Sequence, residues 1–305
     1  MKFKATAAAP LLIMAVFVLT AVFNFLPAES IGAESDPYLA AVIIQLVIFA
    51  LPSLLFCALR GSDYSHKLRL RLPRPSAVIL MLCSVVLLSC GGSAIDYLMT
   101  SAFPALADES SVASYAGFAM NSGFFDGLYL VVAFAILPAV TEEFLFRGIV
   151  LSEYGSVNAA CSVILSAAMF SMCHFSFLHL PSYFFCGIVL ACLTYATRSI
   201  VAPMIVHTLY NVVVLFFGDY VVLLAEKNNI SGILFLIIAV VAALSAAAMA
   251  AFEAASIYRG YAEDNVESDH VPKNKTGVVK SLAMSLLSPF FLLLIVLFIV
   301  LTMLV

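Results

Sequence analysis

Residues 125–151 read FDGLYLVVAFAILPAVTEEFLFRGIVL, an apolar run with two adjacent glutamates and an arginine in its second half. A helix of about 20 apolar residues is long enough to cross the hydrocarbon core of a bilayer, so this run predicts a transmembrane helix. Ionisable side chains are costly at membrane depth and by default indicate function. The same run therefore predicts both the type of fold and the position of a site.

The composition extends this interpretation to most of the chain. Of 305 residues, 64% are apolar and 10% are charged, and the mean hydropathy is +1.12. A soluble domain has roughly a quarter of its residues charged, so lipid is expected to surround much of this chain. The net charge of −4 is small and does not favour a nucleic-acid partner. The seven cysteines lack C-x-x-C spacing and predict small apolar core residues, not a disulfide framework or a zinc knuckle.

The sequence predicts an all-α fold, a polytopic transmembrane helical bundle of about eight to nine spans. Nine apolar runs are the candidate spans: 8–27, 37–59, 76–98, 125–151, 157–179, 182–197, 200–224, 231–257 and 282–304. We expect 99–124 to form an external loop with short helical pieces.

Three regions follow from this layout. Residues 1–124 form an N-terminal membrane region of three spans and the external loop. Residues 125–224 form a core region of four spans, which contains the two glutamates and the arginine. Residues 225–305 form the C-terminal spans, with a flexible cytoplasmic polar linker at 259–280.

Basic residues predict the orientation of the chain. If the N-terminus is cytoplasmic, the inside loops hold twelve of the 14 lysines and arginines: Lys2, Lys4, Arg60, Lys67, Arg69, Arg71, Arg74, Arg198, Arg259, Lys273, Lys275 and Lys280. Cytoplasmic loops normally carry such an excess. We therefore expect an integral protein of a bacterial plasma membrane with a cytoplasmic N-terminus. The basic segment 60–75 should lie against anionic headgroups, more as a topology determinant than as a ligand site.

The fourth predicted span carries the first part of a candidate site. Glu143 and Arg147 are four residues apart on one helical face and can form an ion pair. Glu142 points about 100° away from its neighbour and has no helical partner in this segment. That leaves Glu142 free to serve as a base.

The fifth and seventh predicted spans supply the remaining polar side chains. The fifth contains His174, and the seventh contains His207 and Asn211, which project from one face because they are four residues apart. If spans four and five form an antiparallel hairpin that turns near 155–158, His174 lies at a depth similar to that of the glutamates. His207 is expected somewhat nearer the cytoplasm.

The three motifs resemble those of the CAAX-protease and bacteriocin-processing family, also called the CPBP or Abi family. They are E-E-x-x-x-R at 142–147, F-x-x-x-H at 170–174 and H-x-x-x-N at 207–211, and the resemblance covers roughly 125–215. A second F-x-x-x-H pattern ends at His179, but the SAAMF run before His174 is the family-like context. The resemblance implies an intramembrane endopeptidase that needs no cofactor and acts on a peptide or membrane-protein substrate.

The resemblance also implies hydrolysis of a peptide bond by a glutamate-activated water. Glu142, aided by His174, would remove a proton from the water. His207 and Asn211 would donate hydrogen bonds to the developing oxyanion. The neighbouring ion pair would fix the helix and balance the charge of the site.

A zinc-dependent membrane protease is the mechanistic alternative. Glu143, His174 and His207 could bind zinc with a water in the fourth position, although no His in the chain is followed by Glu, as the H-E-x-x-H motif would require. Two other function classes stay open, a non-catalytic immunity or scaffold protein of the same family and a transporter. Serine chemistry lacks a G-x-S-G turn, and Asp96 and Asp126, at predicted span ends, are interpreted as interfacial or capping residues.

Overall fold

A computed structural model describes residues 5–26, 36–61, 64, 67–106, 124–227, 231–264 and 276–304. All regular structure in these ranges is helical, without a strand. The predicted all-α fold of a polytopic helical membrane protein is therefore confirmed.

The helices are numbered in chain order, and α2 and α4 each contain wider π-helical turns. They are α1 (Ala5–Phe25), α2 (Pro37–Gln45, the π turn Leu46–Ala50 and Leu51–Arg60), α3 (Val78–Ala102), α4 (Phe124–Val131, the π turn Val132–Ile136, Leu137–Glu143, the π turn Phe144–Val150 and Leu151–Gly155), α5 (Ala159–Met172), α6 (Leu180–Thr197), α7 (Val201–Lys227), α8 (Gly232–Glu263), α9 (Val278–Leu286) and α10 (Pro289–Leu304).

Within the described ranges, six helices are long and apolar enough to cross a membrane: Ala7–Phe25, Tyr38–Arg60, Pro75–Ala102, Asp126–Gly155, Leu180–Thr197 and Gly232–Glu263. The pair α9 and α10 is bent by 64° and makes a seventh if it counts as one broken span. Two further apolar segments, Ala159–Met172 and Val201–Phe217, are shorter. Each of the nine predicted runs therefore coincides with a helix, but not every one has the length of a full span.

The predicted fifth span, 157–179, extends too far at its C-terminal end. The helix stops at Met172, and Phe175 has a φ of 45° in the left-handed region. A right-handed helix cannot continue through that conformation. His174 therefore lies in a turn after α5 and not inside a helix.

Two of the π turns precede a proline. Pro52 follows the turn Leu46–Ala50, and Pro138 follows the turn Val132–Ile136. Proline lacks a backbone N–H, and its ring crowds the carbonyl four residues earlier. In both helices that carbonyl belongs to the π turn, where the wider backbone relieves the clash. These breaks lie on α2 and α4, the two helices that meet at Gln45 and Thr141.

Basic residues of the predicted inside loops meet at one end of the bundle. Arg60 Nη2 lies 2.5 Å from Glu153 Oε2 at the end of α4. The guanidinium groups of Arg74 and Arg198 lie over the Tyr261 ring, 4.4 and 4.0 Å from its centroid. These contacts agree with the prediction that the basic loops lie on the same side of the membrane. That this side is cytoplasmic stays a prediction.

The polar linker predicted at 259–280 begins later than expected, because α8 continues to Glu263. Its central part, 265–275, lies outside the described residues, as does 107–123 of the predicted external loop. The described part of that loop contains a short 3-10 helix, Pro104–Leu106.

Helices α5 and α6 approach each other closely beside the site. A Cβ atom on Gly187 would lie 2.7 Å from the Cα atom of Ala167, a distance that real Cβ atoms do not show. Only glycine therefore fits at this crossing. The Gly187 carbonyl accepts a hydrogen bond from a side chain of α4, Arg147.

Candidate active site

A buried ion pair lies on α4 at the centre of the site. Arg147 Nη1 donates to Glu143 Oε1 at 2.6 Å, and both side chains are 0% exposed. Arg147 Nη2 donates to the Gly187 carbonyl at 3.0 Å, and the guanidinium carbon lies 4.6 Å from the centroid of the Phe170 ring. A charge can be buried when it is paired and hydrogen-bonded in this way. The pair that the spacing predicts is thus present, and it links α4 to α5 and α6.

His207 joins α7 to the same carboxylate. Its Nδ1 atom lies 3.0 Å from Glu143 Oε1, and the residue is 5% exposed. An ionised carboxylate only accepts hydrogen bonds, so Nδ1 carries the proton of this bond. Nε2 then remains for another partner. It is a donor only when the ring carries both protons.

His174 is oriented by the last turn of α5. Its Nδ1 atom lies 2.9 Å from the Phe170 carbonyl oxygen, and its ring stacks on Tyr183 with centroids 3.8 Å apart and an angle of 21° between the planes. Because a carbonyl only accepts, Nδ1 is the donor, and Nε2 of the neutral ring keeps its lone pair. The turn therefore presents an imidazole that can accept a proton.

Glu142 lies beside this network with 7% of its surface exposed. Its carboxylate is within electrostatic range of His207 and of Glu143. Tyr183, the ring stacked on His174, is within electrostatic range of Glu142 as well. The structure thus brings together a carboxylate from α4, an imidazole from α7 and an imidazole from the turn after α5.

Asn211 lies farther along α7 and is half-buried. Its Nδ2 atom is 3.4 Å from the carbonyl oxygen of Ala135, in the first π turn of α4. Ala135 precedes Glu142 by about two helical turns at 3.6 residues per turn. Asn211 thus faces the helix that carries the glutamates, but its hydrogen bond goes to backbone.

Gln45 was missed by the sequence reasoning. This residue on α2 has its Oε1 atom 3.1 Å from Thr141 Oγ1, and its side chain forms a hydrogen bond with Glu142. If Oε1 accepts from the threonine hydroxyl, the amide N–H group donates to the carboxylate. The sequence does contain a signal for this residue. Gln45 carries the one side-chain amide in the apolar run 37–59, and a polar group within a span indicates function.

A second polar cluster lies near the N-terminus of α6. Asp96 Oδ1 is 3.0 Å from His179 Nδ1 and accepts a hydrogen bond from Ser182 Oγ at 2.5 Å. The hydrogen bond with Asp96 raises the pKa of His179 above its ordinary value of 6.5. The carboxylate of Asp96 thus binds side chains at the start of another helix, and its interpretation as an interfacial or capping residue stays a prediction. His179 pairs with that carboxylate and not with the glutamates of α4.

The described part of the chain contains no group of three or more His, Cys, Asp or Glu side chains that could hold a metal ion. Of the ligands named for the zinc alternative, Glu143 uses Oε1 for hydrogen bonds with Arg147 and His207. His174 uses Nδ1 for the Phe170 carbonyl, which leaves Nε2 as its only nitrogen for another ligand.

Residues 124–213 match the model of a protein family described as type II CAAX prenyl endopeptidase Rce1-like. The matched segment contains every site residue selected from the motifs, from Glu142 to Asn211. The match confirms the resemblance to CAAX proteases. No curated protein and no solved structure matches the chain.

Proposed function

We propose, from the match of residues 124–213 to the model of the family described as type II CAAX prenyl endopeptidase Rce1-like, that this chain is an intramembrane endopeptidase. The observation that carries the proposal is the convergence of the buried residues Glu142 and His207 with the half-buried His174 among apolar helices. A carboxylate and an imidazole with a free lone pair can activate water. A second imidazole, held by a buried carboxylate, can stabilise negative charge.

In the proposed first step, Glu142 removes a proton from water, and the resulting hydroxide oxygen attacks the scissile carbonyl carbon. His174 holds this water through Nε2, because its Nδ1 is bound to the Phe170 carbonyl. The C=O double bond becomes a single bond, and the negative charge moves to the carbonyl oxygen. The oxyanion then re-forms the C=O double bond as the C–N bond breaks, and the proton on Glu142 passes to the leaving nitrogen.

The oxyanion of this step needs hydrogen-bond donors in a site of low dielectric. His207 supplies Nε2–H when its ring carries both protons, and the bond between Nδ1 and Glu143 fixes the orientation of the ring. Asn211 supplies a second donor when its amide turns from the Ala135 carbonyl, to which its present bond of 3.4 Å is long.

The proposed substrate is a peptide or protein held at the membrane. A peptide that ends in a prenylated Cys-aliphatic-aliphatic-X sequence is the first to test, since the matched family is described as a prenyl endopeptidase. The same peptide without the prenyl group forms the second arm of the test and reports whether the lipid group is required.

The experiment uses purified full-length protein in lipid vesicles, with peptide products identified by mass spectrometry. We expect cleavage by the wild type and a loss of at least about a hundredfold in Glu142→Gln, the size of effect typical of a general base. Glu253→Gln is the matched control, because it makes the same chemical change on α8, away from the site.

Two outcomes would contradict the proposal. Wild-type activity in Glu142→Gln would remove that residue as the base. The second outcome comes from comparing the membrane proteomes of cells that carry the wild type or Glu142→Gln. If no peptide accumulates uncut while the cellular phenotype is unchanged, the chain acts as a non-catalytic immunity or scaffold protein.

A further inference from the structure

We propose that Gln45 is a positioning residue for the catalytic carboxylate, an inference that rests on the proposed function. Gln45 lies on α2, outside the segment 124–213 that matches the family model. It forms a hydrogen bond with Glu142 from a different helix. The N-terminal membrane region therefore contributes a part of the site.

The two polar contacts of Gln45 are directed at adjacent residues of α4. Its Oε1 atom lies 3.1 Å from Thr141 Oγ1, and its side chain bonds to Glu142. An ionised carboxylate only accepts, so the amide N–H group of Gln45 is the donor to Glu142. The Thr141 hydroxyl has a single proton, for which the Leu137 carbonyl at 2.9 Å competes with Gln45 Oε1.

The local backbone brings Gln45 to this position. It is the last residue of Pro37–Gln45, directly before the π turn Leu46–Ala50. A primary amide in an apolar span is costly unless it is hydrogen-bonded, and the contacts with Thr141 and Glu142 compensate for this cost. π turns within α-helices frequently occur at functional sites.

The chemistry of an amide suits this role. Arg147, the cation on the same helix, is hydrogen-bonded to Glu143 and to the Gly187 carbonyl. Gln45 instead offers Glu142 a neutral donor, which orients the carboxylate without neutralising its charge. A base must be both correctly aimed and able to take a proton.

Three variants test this proposal. Gln45→Met keeps the length of the side chain but removes the donor, and Gln45→Glu keeps the shape but sets a second carboxylate against Glu142. Leu46→Ala is the control, since Leu46 is the next residue and is 46% exposed on the outer face of α2. All are measured as kcat and KM for a cleaved peptide, together with the Tm of the purified protein.

We expect kcat to fall about ten- to hundredfold in Gln45→Met, the range that corresponds to one hydrogen bond to a charged group. KM should stay within about twofold, because the bond acts on the base and not on substrate binding. Gln45→Glu should lose more, and Leu46→Ala should match the wild type. A purely structural role would instead leave kcat of the folded fraction unchanged, even where Tm falls.

A double-mutant cycle separates this inference from the proposed function. In the Glu142→Gln background, Gln45→Met should cause no further loss of residual activity, and the Tm decrease of the double variant should be smaller than the sum of the single decreases. Wild-type kcat in Gln45→Met, or additive Tm decreases, would overturn the inference. A wild type that cleaves no peptide would instead reject the peptidase proposal, while the Tm cycle would still report on the contact.

Discussion

His207 and Glu143, on two different motifs, are joined by a bond of 3.0 Å between Nδ1 and Oε1. The same oxygen accepts the hydrogen bond from Arg147 at 2.6 Å. Oε2 of this carboxylate is buried and has no hydrogen-bond partner among the described residues. One oxygen atom of Glu143 thus links α4 to α7 and balances the charge of the arginine.

The buried ion pair should be essential for stability. We expect Glu143→Gln and Arg147→Met each to lower the free energy of unfolding by roughly 3–5 kcal/mol, because each leaves a buried charge without its partner. The double variant should lose less than the sum of the two. Denaturation of the purified protein in mixed micelles measures these values.

Arg74→Met is the control for this measurement. Arg74 also pairs with a carboxylate, Asp264, at 2.7 Å, but the two side chains are 37% and 58% exposed. Loss of this exposed ion pair should cost at most about 1 kcal/mol, and the Tyr261 ring under Arg74 keeps its contact with Arg198. Equal effects of Arg147→Met and Arg74→Met would contradict the assignment of the Arg147 pair as a structural anchor.

Gly187→Ala should destabilise the crossing of α5 and α6. The added Cβ would lie 2.7 Å from Ala167 Cα, which is backbone and cannot turn away. We expect a loss of about 1–3 kcal/mol in the free energy of unfolding, as for other overpacked interiors. Activity should fall as well, because Arg147 binds the Gly187 carbonyl.

Gly260→Ala is the matched glycine substitution, since nothing lies within 4 Å of a Cβ atom at that position near the end of α8. It should be neutral or stabilise the protein by about 0.5–1 kcal/mol, because alanine favours a helix over glycine. If Gly187→Ala behaved in the same way, close approach of α5 and α6 would not explain the glycine.

The pair Asp96–His179 should make stability depend on pH. Its hydrogen bond raises the pKa of His179 above 6.5, so the protonated form is favoured in the folded state. The stabilisation is complete below about pH 6.5 and is lost as pH rises through the higher folded value. We therefore expect Tm to fall between about pH 6 and pH 8 more steeply in the wild type than in Asp96→Asn.

Asp126→Asn is the control for the pH measurement, because Asp126 is an exposed carboxylate at the start of α4. Its Tm should follow the wild-type pH dependence. Identical slopes in Asp96→Asn and the wild type would show that another group titrates in this range.

Peptidase activity should survive removal of metal. The proposed mechanism uses carboxylate and imidazole groups only, so treatment with a strong zinc chelator should leave kcat within about twofold of its value. Elemental analysis of the active protein measures bound zinc in parallel. Loss of activity with chelator and recovery with added zinc would favour the alternative with Glu143, His174 and His207 as ligands.

Some parts of the candidate site could be predicted from the sequence and others could not, for physical reasons. The Glu143–Arg147 pair follows from i,i+4 spacing on one helix, which is a local property. The end of α5 was not predicted, because the apolar pattern continues through 173–179 while Phe175 turns the backbone left-handed. Periodicity reports which residues favour lipid, but it does not report where an apolar segment stops being a helix.

The amino-acid sequence alone determined that the chain is a helical membrane protein and that its polar motifs lie at 142–147, 170–174 and 207–211, since hydropathy and motif spacing are properties of consecutive residues. Only the tertiary structure decided which side chains meet across helices: Gln45 with Glu142, His207 with Glu143, and Asp96 with His179. Such contacts depend on how each helix is rotated and where it is broken, and packing against neighbouring helices sets both.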